Sequence, residues 1–453
     1  MKTTTTITIY LTVAVLVLAC FGLLPRARAI SPPPDGCYPN YTTAEGCNAL
    51  SLLSSGAGNT GLGWYALFSD TTGNFNTSVG GGALSMNNGD SNTAVGAAAL
   101  LLNTTGTSNT AVGTDALVHN DVGAGNTASG AFALFGNTSG GGNTADGNFA
   151  LENNTTGEHN TATGGSALLE NTTGSFNTAN GFEALFGNTT GVENTANGAG
   201  ALASNSTGHD NTASGANTLL HNTVGAENTA TGSGALFSNT TANGNTATGT
   251  IALFSNTTGF DNTATGAVAL TSNTEGFQNT ATGGAALQSN TTGNNNTADG
   301  AGALNANITG QANTAVGLDA LESSNGDDNT AVGFEALFAD TSGSSNTAVG
   351  DGALNGVTAG GGNTALGRFA GTNVTTANNV ICIGSGVAGT NVSGTTYIAG
   401  IFGATTQLAG TPVVIDSNGQ LGTMSSSRRF KKEVKPMNQA SEAILSLKPV
   451  TFR

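Results

Sequence analysis

The sequence predicts an all-β repeat solenoid, a parallel β-roll in which each repeat forms one rung. The unit Asn-Thr-Ala-x-Gly-x-x-Ala-Leu recurs nineteen times between Asn59 and Gly371. Its period is 17 residues, and a step of 16 residues occurs at only two places. Gly, Ala and Leu keep their places in the unit, whereas the residues between them vary. A period this short and regular predicts that each copy buries its apolar residues against its neighbours.

The fixed residues predict a thin core. Counting the opening Asn as position 0, position 4 is always Gly, position 7 is Ala except at Thr218, and position 8 is Leu except at Gly371. An unvaried Gly indicates backbone with positive φ or a close approach by the next rung. One Leu and two Ala per rung offer little apolar surface to offset the ordering of the chain. We therefore expect trimerisation, or lateral packing along the Leu edge, to add buried surface.

Two rung shapes fit the repeat. In the favoured one, Asn-Thr-Ala-x-Gly and Ala-Leu-x-x-Asn each form a short strand, and Asn-Thr-Thr-Gly forms a turn between them. Rungs would then stack about 4.8 Å apart, with Asn and Thr ladders along the shaft. In the alternative, positions 4, 7, 8 and 11 form one face of a short helical turn that follows a single strand.

The first residues form a processing segment. Lys2 precedes an apolar run over residues 7–24, and Ala27 and Ala29 provide a small-x-small cleavage site. We predict a signal peptide over residues 1–29 and secretion of the chain.

Two alternatives remain for this leader. The apolar run is long enough to stay as an uncleaved anchor. The residues up to Cys20 also resemble a bacterial lipoprotein box, which would attach the chain to a membrane through a lipid on Cys20. We find no later segment that is long and apolar enough to span a membrane.

Residues 30–58 are predicted to form an N-terminal cap over the first rung. Cys37 and Cys47 flank a short polar loop, and an exported chain favours a disulfide between them. Cys382 lies in an apolar run and is predicted to be a buried free thiol.

The charge distribution excludes several partners. The formal net charge is −16, and Arg368 is the only basic residue between Ile30 and Ser427. An acidic shaft does not bind nucleic acid or an anionic membrane. Asp and Asn recur in the turns without the spacing of a calcium loop, so we predict no metal and no cofactor.

Beyond the repeats, residues 372–424 are predicted to form a β-rich transition. Two apolar runs around Asp416 and Gln420 flank Ser-Asn-Gly, which is a strong hairpin signal. A helix is predicted to begin at Asn438 and to end before Pro449.

The repeats resemble those in the heads of trimeric autotransporter adhesins. Asn92-Thr-Ala-Val-Gly-Ala-Ala-Ala-Leu100 and Asn346-Thr-Ala-Val-Gly350 show the shared motif, and the resemblance covers most of residues 59–371. It implies a homotrimeric parallel β-roll on a bacterial cell surface that presents a binding face to a glycan or a protein.

The C-terminal residues resemble a different family. Residues 425–434 read Ser-Ser-Ser-Arg-Arg-Phe-Lys-Lys-Glu-Val, and Leu447-Lys-Pro-Val-Thr-Phe452 follows. Together they resemble the start of the intramolecular chaperone auto-processing domain of endosialidase-type tailspikes. The resemblance implies that Ser426 is a nucleophile, that Lys431 is its base, and that the Ser425–Ser426 bond is cut. We expect residues 425–453 to be the start of this domain, without its remainder.

The residue types suit that chemistry. A Ser hydroxyl attacks only when a base removes its proton, and a Lys is such a base only when burial or nearby positive charge lowers its pKa. Arg428, Arg429 and Lys432 supply the charge. The alternative is a basic, Ser-rich linker without catalysis, which would leave a purely structural repeat protein.

A third function class is binding to ice or another crystal. Thr-x-Thr occurs on five rungs, but the third residue is Val, Asp, Asn or Ser on others, which argues against a continuous array. The Thr pairs are 161/163, 229/231, 246/248, 263/265 and 280/282.

Overall fold

The computed structural model describes residues 39–404 and 412–423. They divide into two units, one that ends at Ile398 and one that begins at Ala399. The first unit is the predicted parallel β-solenoid, preceded by a 3-10 turn over Pro39–Tyr41. The predicted signal peptide and the helix from Asn438 lie outside the described residues.

The solenoid contains one parallel sheet of 22 three-residue strands. Each strand pairs in register with the next one in sequence, so that Thr246 lies beside Thr263 and Ala247 beside Ala264. At about 4.8 Å per strand, the stack is about 100 Å long. The strands are β1 Thr43–Glu45, β2 Thr60–Leu62, β3 Thr77–Val79, β4 Thr93–Val95, β5 Thr110–Val112, β6 Thr127–Ser129, β7 Thr144–Asp146, β8 Thr161–Thr163, β9 Thr178–Asn180, β10 Thr195–Asn197, β11 Thr212–Ser214, β12 Thr229–Thr231, β13 Thr246–Thr248, β14 Thr263–Thr265, β15 Thr280–Thr282, β16 Thr297–Asp299, β17 Thr314–Val316, β18 Thr330–Val332, β19 Thr347–Val349, β20 Thr364–Leu366, β21 Ile381–Ile383 and β22 Thr396–Ile398.

The solenoid extends beyond the repeats that define the sequence period. β1 lies inside the region predicted to be a cap and pairs with β2, and Leu50 has the left-handed backbone of the Leu in later rungs. At the other end, β21 and β22 continue the sheet to Ile398, past the predicted boundary at Gly371. Degenerate rungs therefore lie at both ends of the regular array.

The core consists of three apolar columns inside one chain. The middle residue of each strand points inward and its two neighbours point outward, as Ala247 and its flanking Thr residues show. Ala247, Ala252 and Leu253 of this rung are completely buried, as are their equivalents along the shaft. No Leu edge is left for lateral packing between chains, so that expectation is wrong. The trimer stays a prediction.

The second half of the rung is neither the predicted strand nor the alternative helix. Its N–H groups donate to adjacent rungs in both directions: Ala98 donates to Gly81 of the preceding rung, and Leu100 donates to Ala116 of the next. Leu100 has φ of 52° and Ala98 has φ of 54°, which interrupts any regular strand or helix. The segment is a run of turns whose backbone hydrogen bonds connect rungs as those of a sheet do.

The invariant Gly at position 4 lies where strand meets turn. Gly181 has φ of 142°, and a Cβ atom there would lie 2.6 Å from the carbonyl carbon of Gly198 in the next rung. Both predicted reasons for an unvaried Gly therefore hold at this position.

The second unit contains the predicted hairpin. β23 Val413–Ile415 pairs antiparallel with β24 Leu421–Thr423. Gly419 has φ of 80°, and the Asp416 carboxylate accepts hydrogen bonds from the N–H groups of Asn418 (2.9 Å) and Gln420 (2.8 Å).

Candidate functional site

Two columns of buried asparagines run along the solenoid. The first is the opening Asn, and each member donates through its N–H to the side-chain oxygen of the preceding member. Asn177 N–H donates to Asn160 Oδ1 at 3.0 Å, and its Nδ2 donates to the Gly191 carbonyl at 2.8 Å. Burying an amide is costly unless its donors and acceptor are satisfied, and this column satisfies them.

The second column is formed by the Asn at position 11, where the Asn-Thr-Thr-Gly corner of the rung begins. Asn188 Nδ2 donates to Asn171 Oδ1 at 2.8 Å and to the Gly191 carbonyl at 3.0 Å. Gly191 thus accepts from both columns, which ties the Asn-Thr-Thr-Gly corner to the core. Thr189 Oγ1 adds a bond at 3.0 Å to the Ser206 carbonyl of the next rung. The Asn ladders that the repeat predicts are therefore confirmed, and the asparagines lie inside the rod.

Two aspartates replace Asn near the ends of the second column. Asp70 and Asp340 are fully buried. Burial raises the pKa of each to about 6, although N–H donors from Gly73 and Gly343 act in the opposite direction. Beyond them the column is apolar, with Leu53 at one end and Val357 and Val374 at the other.

The column is interrupted next to Asp340. Ser324 stands at an Asn position and its Oγ donates to Asp340 Oδ2 at 3.1 Å. Asn307 Oδ1, in the preceding rung, is buried and has no hydrogen-bond partner among the described residues. One of the two 16-residue steps falls here, at the corner between Ser324 and Asn329.

The strands present one flat outward face, formed by positions 1 and 3. Position 1 is Thr in β1–β20. Position 3 is polar over β6–β16 and aliphatic over β2–β5 and β17–β22. On strands, the only carboxylates among the described residues are Glu45, Asp146 and Asp299.

Aromatic side chains in the turn segments of successive rungs stack on one another within one chain. Ring centroids are 4.8 Å apart for Phe237 and Phe254, and 4.9 Å apart for Phe260 and Phe277. Phe260 is exposed and the other three rings are half-buried, so each pair covers part of its own apolar surface. Others, including Phe182, Phe334 and Phe369, are exposed.

The histidines do not assemble a catalytic or metal site in the described part of the chain. His119 packs edge-on against Phe135, and burial lowers its pKa. His159 stacks on Phe176, and His209 bonds the carboxylate of Asp210 at 2.7 Å. Residues 39–404 and 412–423 contain no group of three or more His, Cys, Asp or Glu that could hold a metal ion.

The cysteine predictions have separate outcomes. Cys382 is a buried free thiol in β21, as predicted, and burial raises its pKa. Cys47 is exposed on the first rung. Cys37 lies outside the described residues, so the Cys37–Cys47 disulfide stays a prediction.

The predicted catalytic residues also lie outside the described residues. Ser425, Ser426 and Lys431 follow β24, and their roles stay predictions.

Comparisons of the chain with protein-family models, with curated proteins and with solved structures return no match. Among the described residues, no helix has the length and apolar character that crossing a membrane requires.

Sequence reasoning missed the degenerate rung at the N-terminal end. Thr42-Thr-Ala-Glu-Gly-Cys-Asn-Ala-Leu50 keeps the Gly, Ala and Leu of the unit exactly one period before Asn59, with Thr42 in place of the opening Asn. A search for Gly, Ala and Leu alone would have found it.

Proposed function

We propose that the protein is a structural fibre of the cell exterior. It is secreted or displayed on the cell surface, assembles as a homotrimer, and presents its repetitive surface to a glycan or protein in the manner of an adhesin. One observation supports this best: a sheet of 22 parallel strands, each paired with the next, runs through the described first unit from Thr43 to Ile398. Such a stack holds its two ends a fixed distance apart.

The chemistry of the interior supports a structural role. The buried asparagines use their amide groups in bonds to neighbouring rungs, as Asn188 does with Asn171 and Gly191. These bonds tie each rung to the next and oppose bending and slippage. Side chains on the outer positions vary freely, which suits a surface that is displayed.

Small-angle scattering of the secreted full-length chain tests the fibre. We expect a rod cross-section and a stiff segment about 100 Å long for each chain. A profile of a compact particle, or of an unfolded coil, would contradict the proposal.

We further propose that the C-terminal segment cuts the Ser425–Ser426 bond, with Ser426 as nucleophile and Lys431 as base. The support is the resemblance of residues 425–452 to the auto-processing family. Intact mass spectrometry of the secreted chain should show a product that ends at Ser425. Ser426→Ala and Lys431→Met should abolish this product, whereas Ser427→Ala should not.

An uncut wild-type chain in that measurement would favour the alternative, a structural repeat protein without processing. The fibre proposal does not depend on the cut.

Binding to ice or another crystal is a second candidate. The specific observation is that β12–β15 are four consecutive Thr-Ala-Thr strands in register, with position 1 and position 3 pointing outward. A thermal-hysteresis assay with wild type and a Thr248→Lys variant tests it. Activity in wild type that the substitution removes would support this candidate, and no activity would exclude it.

A further inference from the structure

The outward strand face differs from the rest of the rod in charge. It holds few carboxylates, although the chain has a formal net charge of −16. By contrast, the residue that precedes each opening Asn is acidic on five of the nineteen rungs. These acidic residues are Glu193, Asp210, Glu227, Asp261 and Asp328.

Like charges therefore oppose the approach of a second rod along the line of these acidic residues, whereas the strand face carries few such charges. Between Ile30 and Ser427 the chain has no Lys or Arg other than Arg368, and of its four histidines His209 already bonds Asp210 of its own chain at 2.7 Å. Arg368 already pairs with Asp351 of its own chain at 3.0 Å.

The strand face is also patterned along its length. Its two ends expose aliphatic side chains, and its middle exposes hydroxyl and amide groups together with the carboxylates of Asp146 and Asp299. Position 3 is Leu62, Val79, Val95 and Val112 at one end, and Val316, Val332, Val349, Leu366, Ile383 and Ile398 at the other. Val95 is 38% exposed, Val332 is 36% exposed and Leu366 is 50% exposed. Exposed aliphatic columns on a flat sheet are surfaces that association commonly covers.

We propose that second copies of this chain pack on the strand face, side by side and pointing the same way. Parallel alignment places each aliphatic zone opposite its own equivalent, and places the polar zone of Thr, Ser, Asn and two Asp residues opposite itself. The inference rests on the proposed function only in requiring a fibre of more than one chain.

The face is large enough for a stable contact. A strand of three residues spans about 10 Å and the stack about 100 Å, so the face covers about 1,000 Å² per chain. Stable interfaces bury about 800 Å² per partner. The buried Leu column takes no part, because it is already enclosed within its own chain.

Charge substitution on this face tests the proposal. The variant is Val332→Glu with Leu366→Glu in the full-length chain. The control is Val122→Glu with Val224→Glu, two corner residues that are 50% and 47% exposed and lie away from the strand face. Light scattering after size exclusion gives the mass of each, and circular dichroism verifies that each is folded.

We expect wild type and control to have the mass of several chains. The face variant should dissociate at a concentration at least about tenfold higher than wild type does, because each buried carboxylate opposes its equivalent. Suppose that wild type contains several chains but the face variant dissociates no more readily than the control. That result would overturn the proposed contact face without contradicting the fibre. A wild type that is monomeric at about 100 μM would overturn both the contact and the trimer.

Cross-linking provides an independent measurement if the charged variant does not fold. In a background of Cys37→Ser and Cys47→Ser, Val332→Cys should form a disulfide between chains on oxidation, and Val224→Cys should not. Equal cross-linking of the two would overturn the proposal. Cross-linking of Val332→Cys only when mixed with Val112→Cys would overturn the parallel alignment, because antiparallel chains place β18 opposite β5.

Discussion

At the scale of single residues, this rod depends on buried asparagine. Each amide has donors and an acceptor, and stacking identical amides one rung apart satisfies them wherever Asn follows Asn in the column. Asn205 Nδ2 donates to Asn188 Oδ1 at 2.8 Å, and the same bond recurs rung after rung. A carboxylate at such a position can accept but cannot donate, so Asp70 and Asp340 interrupt the pattern.

These two aspartates make stability depend on pH. Burial raises the pKa of each to about 6, so the folded chain holds these protons more tightly than the unfolded chain does. The stabilisation is fully present below about pH 4 and is lost as the pH rises through 6. We expect the combined Asp70→Asn and Asp340→Asn substitutions to stabilise the chain at pH 7 by about 1–3 kcal/mol per site, and to have little effect at pH 4.

Urea unfolding at several pH values measures this. Asp146→Asn is the control, because Asp146 is an exposed strand residue. If the stability of wild type changed between pH 4 and 7 just as that of the double variant does, the raised pKa of Asp70 and Asp340 would be contradicted.

At the scale of the rung, the turn half is hydrogen-bonded to its neighbours as the strand half is. Leu253 adopts φ of 51°, which is unfavourable for a branched side chain, yet it is completely buried and its N–H donates to Ala269 of the next rung at 3.0 Å. Burial and the inter-rung bond together hold it there.

The Gly at position 4 should be the least replaceable residue of the rung. Gly181→Ala would force a Cβ to 2.6 Å from a backbone carbon of Gly198, at φ of 142°. We expect a loss of more than about 1 kcal/mol, measured as a lower midpoint of thermal or urea unfolding.

Gly284→Ala is the matched control for this substitution. It occupies position 5 of another rung, and nothing lies within 4 Å of the Cβ it would gain. Its midpoint should stay close to that of wild type. Equal losses for the two variants would show that the close approach between rungs does not limit position 4.

At the scale of the whole solenoid, each rung pairs only with its neighbours. β9 contacts β8 and β10, and the same relation holds along the sheet. Stability is then a sum over rungs and the interfaces between them, so one rung can be removed if the phase is kept.

Deleting residues 194–210 should leave a folded rod. The deletion removes one period, and β9 can then pair with β11 as Thr178 with Thr212. We expect the same circular dichroism spectrum, a similar unfolding midpoint and a rod shorter by about 4.8 Å. Deleting residues 194–201 instead removes less than one period, so later rungs fall out of register with earlier ones. We expect marked destabilisation of this variant. Equal behaviour of the two deletions would contradict the neighbour-only architecture.

Sequence by itself determined the period, the place of the first strand in each of the nineteen repeats, the need for Gly at position 4 and the C-terminal hairpin. These follow from short-range rules: β-branched residues alternate with buried Ala, Gly permits positive φ, and Asn-Gly favours a tight turn. Only the tertiary structure decided that the second half of the rung is neither strand nor helix and that both Asn columns are buried. The reason is that these features depend on hydrogen bonds between rungs, as from Leu100 to Ala116, which a pattern read along one repeat does not contain.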